Sequence, residues 1–562
     1  MKKILLLLPF CFSLLSAGAQ KFPQREDTHR LMSYNIHHGE GMDGKIDIER
    51  IGALIIDINP EVVGLQEVDS VVARSGNLDL LQLLSAQTGL HATFGYSILH
   101  DGGKYGNGVL TREKPLAVKK IALPGSKEAR TALIVELDKY VVVNTHLSLT
   151  SEERQESVKI ITDAVKEYDK PVFLMGDLNA TPDSEPIAIL QEKWQILSNP
   201  KQHTSPSVSP ESTIDYIAGY TSKGQTYAKY RAQVIDEPVA SDHRPLFVDI
   251  RLKTPAAEVM RTIPYLQNPG TKEMTVMWLT NVPARSWVEY GTSPDPDKMS
   301  RARTFIEGEM VANNTINRVH LTGLQPGTKY YYRAVSQEIT RYSSYYKEFG
   351  DTVRSDIKSF TTWNDDTKDF RVIVYNDIHS NMAMFNKLHA LVEDKPYDLV
   401  VFNGDCFDDV EVEDDIMNRL LTYTPRIKSD EVPSIFIRGN HETRGEYSLH
   451  LWDYLGRMGG RSYSAFSLGD TRFVLLDCGE DKPDEHWVYY DMNDFTQHRN
   501  DQALFLKEEL KSPAFRDAKK RVLIHHIPIF GVKSGSFSPC TDLWKPLLEK
   551  APFTISLNGH TH

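Results

Sequence analysis

The chain has 562 residues, 40% of them hydrophobic and 25% charged, with a formal net charge of −12. That length exceeds what one hydrophobic core supports, so several domains are expected. The acidity excludes a generally basic, nucleic-acid-coating surface, and aromatic residues at 10% exclude a disordered chain.

The chain begins MKKILLLLPFCFSLLSAGAQ: a basic start, a short apolar run and then Ala17-Gly18-Ala19. This is the pattern of a signal peptide, residues 1–19, cut before Gln20, and it predicts a secreted or periplasmic product. The apolar run is short and is broken by Pro9, which suits export better than anchoring. No later stretch is apolar enough to predict a transmembrane segment in the mature chain. Cys11 falls in the leader; Cys406, Cys478 and Cys540 are too few and too scattered for a disulfide framework or a zinc ribbon.

From Arg30 to Leu252, apolar runs such as EVVGLQEVD, KYVVVNTHLSL, KPVFLMGDLNA and HRPLFVDIRL each read as a buried strand followed by a polar loop, with helical stretches between. A Pro- and Ala-containing linker follows. Then come the short alternating strands MTVMWLT, SWVEYGTS, NRVHLTGL, KYYYRAVS and IKSFTT, with Trp278 on an inner strand, which predict a small β-sandwich. After the acidic WNDDTKD, α/β grammar returns to the end of the chain. The expected division is residues 28–253, 258–363 and 369–562, an α/β multidomain chain with a central β-sandwich. The sandwich carries no acid, histidine or cysteine cluster and reads as a spacer.

In the first segment, strand ends deliver one kind of side chain. Asn35 follows LMSY, Glu67 closes VVGLQ, Asn144 and His146 sit two apart, as do Asp177 and Asn179, and Asp242 and His243 precede the last strand. Residues two apart share a strand face, and loops at one sheet edge converge on one pocket. Oxygen donors from Asn35 and Glu67 suit a hard ion, Mg²⁺ or Mn²⁺, that would polarise a phosphoryl oxygen. Asp177 or His243 could take a proton from water, His146 could serve the leaving side, and Asp215 could orient a histidine.

These residues also carry a resemblance. LMSYNIHHG, GLQEVD, GNGVLTR, NTHL, GDLNATPDS, IDYI and SDHRPLF, in that order, resemble the endonuclease/exonuclease/phosphatase superfamily across Arg30 to Leu252. The resemblance implies a four-layer α/β/β/α sandwich. It implies that Asn35 and Glu67 hold the divalent ion with Asp242 near it, and that Asp177, Asn179 and His243 surround the scissile phosphate. It further implies that Asp215 pairs with a histidine, that Asn107 contacts phosphate, and that His146 marks the branch with two catalytic histidines.

The last segment repeats the logic. Asp377 and His379 follow VIVYN, Asp405 follows VVFNG, Asn440 and His441 follow IFIRG, His525 and His526 end RVLI, and His560 and His562 end ISLNG. Mixed Asp, His and Asn donors suit Zn, Fe or Mn, and there are enough for two ions bridged by Asp405. Glycines before the ligands let the backbone approach closely.

The order Asp-x-His, Gly-Asp-x-x-Asp, Gly-Asn-His-Glu, His, Gly-His-x-His resembles the calcineurin-like metallophosphoesterases. That resemblance implies Asp377, His379, Asp405 and His562 on one ion. Asp405, Asn440, His526 (with His525 as the alternative) and His560 fall on the other, and His441 faces the substrate. The sandwich before it resembles the fibronectin-like domain of purple acid phosphatases. Those enzymes carry a tyrosine ligand three residues after the bridging aspartate, where this chain has Asp408; no purple colour is expected. The family's sheet continues past Gly-His-x-His, so the sequence reads as part of a longer chain.

The functional expectation is a secreted, metal-dependent phosphoesterase with two sites. The N-terminal site would cleave a phosphodiester and the C-terminal dinuclear site a phosphomonoester or another diester, the first making the monoester that the second strips. The partner is a phosphate-ester substrate, with no stable nucleic-acid complex. The alternatives are an extracellular nuclease and a surface ligand-binding protein with inactive phosphatase folds.

Overall fold

A computed structural model describes residues 21–221, 226–531 and 539–561. The signal peptide read at residues 1–19 and the donor read at His562 lie outside the described residues. The chain divides into two compact units, Met1–Lys253 and Thr254–His562.

In the first unit two six-stranded sheets lie face to face. One runs Tyr227–Val234, Leu246–Leu252, His29–Asn35, Val62–Ser70, Gly103–Thr111, His91–His100. The other runs Ala117–Leu123, Arg130–Glu136, Val141–His146, Val172–Asp177, Asp215–Tyr220, Trp194–Ile196.

Strand periodicity sorts the side chains. Leu31 and Val62 join Leu133, Phe173 and Met175 between the sheets, while their neighbours Met32 and Val63 turn outward. There they meet the helices Ile48–Ile58 and Leu80–Thr88 through Ile51, Ile55 and Leu84. On the other outer face Val158, Ile161 and Ile187 bring Ser151–Val165 and Glu185–Gln191 onto Val143 and Leu174. The result is four layers, helix, sheet, sheet, helix. Asp47 and Asp79 cap the first two helices by accepting from the backbone N–H of Arg50 and Gln82.

In the second unit the long strand Met274–Gly291 pairs with Ala312–Leu321 and Lys329–Tyr342 to build the β-sandwich. Trp278 is buried in its core and donates its indole N–H to Ser336 Oγ at 2.8 Å.

The segments read from sequence as two separate domains share a sheet. Tyr265–Gln267 pairs antiparallel with Met274–Gly291 on one side. On the other it pairs parallel with Ser434–Ile437, which continues to Leu399–Asn403 and Val372–Tyr375. A second sheet, Ser464–Leu468, Thr471–Leu476, Lys520–His525 and Ile555–Leu557, packs on those parallel strands through Leu399, Val401, Ile435, Phe473 and Ile524. Helices again cover both outer faces. Cys406, Cys478 and Cys540 are all buried and free.

Candidate active sites

In the first unit the carboxylate of Asp177 is the meeting point. Its strand, Val172–Asp177, lies beside Val141–His146 with His146 opposite Asp177 and Asp215 opposite it on the other side. Asp177 Oδ2 accepts from Asn35 Nδ2 at 3.1 Å and lies 3.4 Å from His146 Nε2 and 3.8 Å from His243 Nε2. Asp177 Oδ1 accepts from the backbone N–H of Asn179 at 2.9 Å.

His243 Nδ1 donates to Asp215 Oδ2 at 2.9 Å, which leaves Nε2 on the side of Asp177. Arg130 donates to His146 Nδ1 at 3.3 Å, so the ring proton of His146 sits on Nε2, facing Asp177.

The two histidines are pushed in opposite directions. Burial takes His146 down to about 4. Burial would also lower His243, but the charge and hydrogen bond of Asp215 outweigh it and hold the ring at about 10. Burial, followed by the neighbouring Asp215, raises the Asp177 carboxyl. Burial likewise raises Glu67.

Asn35 joins Glu67 to Asp177, donating Nδ2 also to Glu67 Oε1 at 3.0 Å, while its Oδ1 accepts from the His37 backbone N–H. It therefore faces the acids with nitrogen and organises them, where the sequence reading had it offering oxygen. Asp242 is half-buried and acts electrostatically on Glu67. Asn107 donates to the Thr131 carbonyl at 2.9 Å, and its Oδ1 is buried without a partner. Asn179 Nδ2 donates to the Leu147 carbonyl. Asn144, on the same strand face as His146, does not reach the cluster: it donates to the carbonyls of Leu65 and Gly108 between the sheets.

In the second unit the described candidate donors lie at or just after the carboxyl ends of parallel strands, where α/β sheets place their ligands. Asp405 is common to two groups of closely approaching donors, one with His379 and His441, the other with His526 and His560. Its Oδ2 lies 3.0 Å from His526 Nε2 and 3.8 Å from His379 Nε2, and its Oδ1 accepts from the His441 backbone N–H at 3.0 Å.

The adjacent histidines part company. His525 spends Nδ1 on the Ile527 carbonyl and Nε2 on Ser556 Oγ, both at 2.8 Å. His526 spends Nδ1 on the Asn403 carbonyl and turns Nε2 towards Asp405 Oδ2, 3.0 Å away. Asp377 accepts from the His560 backbone N–H at 2.9 Å. His379 Nδ1 lies 3.3 Å from Asp408, so the residue standing where a tyrosine ligand was expected sits beside a histidine ring.

The Asn440 Oδ1 and His526 Nε2 atoms are buried without hydrogen-bond partners. Unpartnered lone pairs beside a carboxylate shared by two donor groups fit divalent metal ions. Close approach is enforced by glycine. A Cβ on Gly439 would stand 2.2 Å from Asp405 Oδ1, and one on Gly404, whose φ is +83°, would stand 2.5 Å from His526 Nδ1. Asp377, His379, Asp405 and His560 all have positive φ, a strain that backbone holds where the site demands it.

Sequence reading passed over Glu442. Its buried carboxylate accepts four backbone N–H groups: Oε2 from Asp405 (2.9 Å) and Gly439 (2.6 Å), Oε1 from Cys406 (2.7 Å) and Phe407 (3.0 Å). Burial and the nearby Asp405 raise its pKa against those donors. It ties the two ligand-bearing loops together. Arg130 and Arg444 were also passed over; Arg444 donates to His441 Nε2 at 3.3 Å and is itself held by Glu480 at 2.7 Å. A cavity of about 650 Å³ adjoins this pair, lined by Arg438, Arg444, Leu449, Glu480, Tyr489 and Met492 among others.

Comparison with known proteins assigns the segments. Residues 32–243 match the Endonuclease/Exonuclease/phosphatase family, 262–362 the purple acid phosphatase N-terminal domain, and 370–562 the calcineurin-like phosphoesterases. Mouse acid phosphatase type 7 is 29% identical over 191 residues, 33% of this chain and 40% of the mouse protein, so the chain spans well under half of that relative.

Among solved structures, an endonuclease/exonuclease/phosphatase from Beutenbergia cavernae is 20% identical, covering 58% of this chain and 100% of that one, with TM-score 0.34. A purple acid phosphatase from yellow lupin seeds is 16% identical, covering 53% and 58%, with TM-score 0.40. In order along the sequence, the chain carries an endonuclease/exonuclease/phosphatase family domain, a purple acid phosphatase N-terminal domain and a calcineurin-like phosphoesterase domain.

Proposed function

We propose that the chain is an exported phosphate-ester hydrolase with two independent sites, a phosphodiesterase in the first unit and a phosphomonoesterase in the second. The observation that carries this is the pair of hub carboxylates, Asp177 and Asp405, each ringed by histidines at strand ends.

At the first site the donor set around Glu67 suits Mg²⁺ or Mn²⁺, and at the second the set around Asp405 suits two ions drawn from Zn, Fe and Mn. The ions supply charge that polarises the phosphoryl group and lowers the pKa of bound water.

The chain's own residues do the rest. Asp177 is placed to accept a proton from an attacking water. His243, held as an N–H donor by Asp215, and His146, oriented by Arg130, face the same carboxylate and bear on the phosphoryl and leaving oxygens. At the second site His441 faces the ester, with Arg444 behind it, and the adjoining cavity takes the organic part of a monoester. Residues 1–19 direct export. The net charge of −12 supports a small ester over a nucleic acid as substrate.

The test is hydrolysis of bis(4-nitrophenyl) phosphate and 4-nitrophenyl phosphate by wild type, Asp177→Ala and Asp405→Ala, with Mg²⁺, Mn²⁺ or Zn²⁺ added. Diester cleavage is lost with Asp177→Ala alone and monoester cleavage with Asp405→Ala alone. Loss of both activities with one substitution overturns the assignment of independent sites. Firm retention on immobilised DNA at physiological salt favours the nuclease reading instead.

A further inference from the structure

His37 and His38 take no part in the chemistry above. They follow the first strand and sit beside Glu67, and all three residues hold left-handed backbone, with φ of 44°, 44° and 59°. Each ring spends one nitrogen on Glu40. His37 Nδ1 donates to the Glu40 carbonyl oxygen at 3.2 Å, and His38 Nε2 donates to Glu40 Oε2 at 3.1 Å. Those two bonds fix the tautomers and leave the lone pairs on His37 Nε2 and His38 Nδ1.

The second of these is costly as it stands: His38 is 8% exposed and its Nδ1 is buried without a partner. Donor atoms of His37, His38 and Glu67 lie within 4.8 Å of one another. An imidazole whose far N–H is held by a carboxylate or a carbonyl is the arrangement that orients metal-ligating histidines. The cation facing His38 is Arg74, and its charge is taken up by buried Asp69 through two hydrogen bonds of 2.9 Å.

We infer that His37, His38 and Glu67 form a further cation site in the first unit, with Glu40 as the residue that positions both rings. Two nitrogens and one carboxylate favour a borderline ion such as Zn²⁺ over Mg²⁺. The inference deepens the phosphodiesterase reading, because Glu67 is also the carboxylate that Asn35 ties to Asp177. An ion there puts a second positive charge beside the cleavage point, suited to a non-bridging phosphoryl oxygen.

Zinc counting tests it without turnover. The full-length chain is stripped with chelator and dialysed against Zn²⁺ in a large excess of Mg²⁺, and bound zinc per chain is measured by inductively coupled plasma mass spectrometry. His38→Ala lowers the count by one equivalent. Glu40→Gln keeps all three donors yet weakens that equivalent about 10–100-fold, an effect a merely structural glutamate would not have. Asp177→Ala abolishes diester cleavage but retains the equivalent, so failure of the phosphodiesterase reading is distinguishable from failure of this one. An unchanged zinc count in folded His38→Ala overturns the inference. If that variant does not fold, His37→Ala, at the half-buried partner, reads the same equivalent.

Discussion

Glu442→Gln keeps the volume of a buried side chain and removes its capacity to accept hydrogen bonds at both ends. In the native protein each carboxylate oxygen accepts two backbone N–H groups. A glutamine has one oxygen, so whichever way it turns, two buried N–H groups meet an NH₂. Each unsatisfied donor costs about 1–3 kcal/mol, or about 2–6 kcal/mol together, a large part of the roughly 5–15 kcal/mol that holds a domain. The loss falls on Gly404–Phe407 and on Gly439, the loops that carry Asp405 and Asn440.

Hydrogen exchange reads this directly. At about 1.4 kcal/mol per factor of ten, the amides of Asp405, Cys406, Phe407 and Gly439 should exchange between about thirty-fold and twenty-thousand-fold faster. Urea unfolding of the second unit should shift by a matching amount, and monoester hydrolysis should fall as Asp405 loses its position. Unchanged protection at those four amides, with unfolding within about 0.5 kcal/mol of wild type, would refute the account of Glu442 as the tie between the loops.

Further outcomes follow from the same geometry. His526→Ala should cost monoester hydrolysis at least about a hundred-fold together with bound metal. His525→Ala should instead lose about 1–3 kcal/mol of stability through its Ile527 and Ser556 partners with metal content intact; metal loss in His525→Ala and not in His526→Ala reverses the assignment. Gly439→Ala should displace the Asp405 carboxylate from a Cβ otherwise 2.2 Å away and strip metal from a still-folded chain, as metal analysis with circular dichroism would show.

Asp477, which is not itself a candidate metal donor, gives a pH dependence of stability. Burial would raise its pKa, but Arg438 at 2.7 Å and His498 at 3.1 Å pull it well below the ordinary carboxylate value. The stability this contributes is complete above the unfolded value of about 4 and is lost as pH falls below it towards the folded pKa. Asp477→Asn should therefore flatten the acid limb of the melting curve below about pH 4 and cost about 3–5 kcal/mol at neutral pH by leaving Arg438 unpaired.

Much of both clusters was legible because strand ends announce themselves: an apolar run, then a polar pair two residues apart. Periodicity gives the face of a strand but not the depth along it. Asn144 and His146 share a face, yet Asn144 lies one pair deeper and is consumed by carbonyls between the sheets. Periodicity also says that His525 and His526 point to opposite sides without saying which side holds the donors.

The helpers were illegible for a different reason. Glu442 closes the Gly-Asn-His-Glu motif, but the backbone N–H groups it serves lie as many as 37 residues away, and Arg130 reaches His146 from a neighbouring strand, so neither role leaves a local pattern. His37 and His38 stood in plain view within the quoted motif, but only the placement of Glu40 around both rings gives them a use. Tyr265–Gln267 is three residues long, too short for alternation to declare a strand, and so the shared sheet was invisible.

That three-residue strand decides where this protein can be cut. A fragment starting after the acidic linker near Trp363 would lose the pairing of Gln267 with Ser434 and leave Ser434–Ile437 as an uncovered edge strand. For expression, for grafting onto another carrier, or for exchange between genomes, the transplantable piece is therefore Thr254 onward, with the sandwich travelling as the phosphoesterase's own flank.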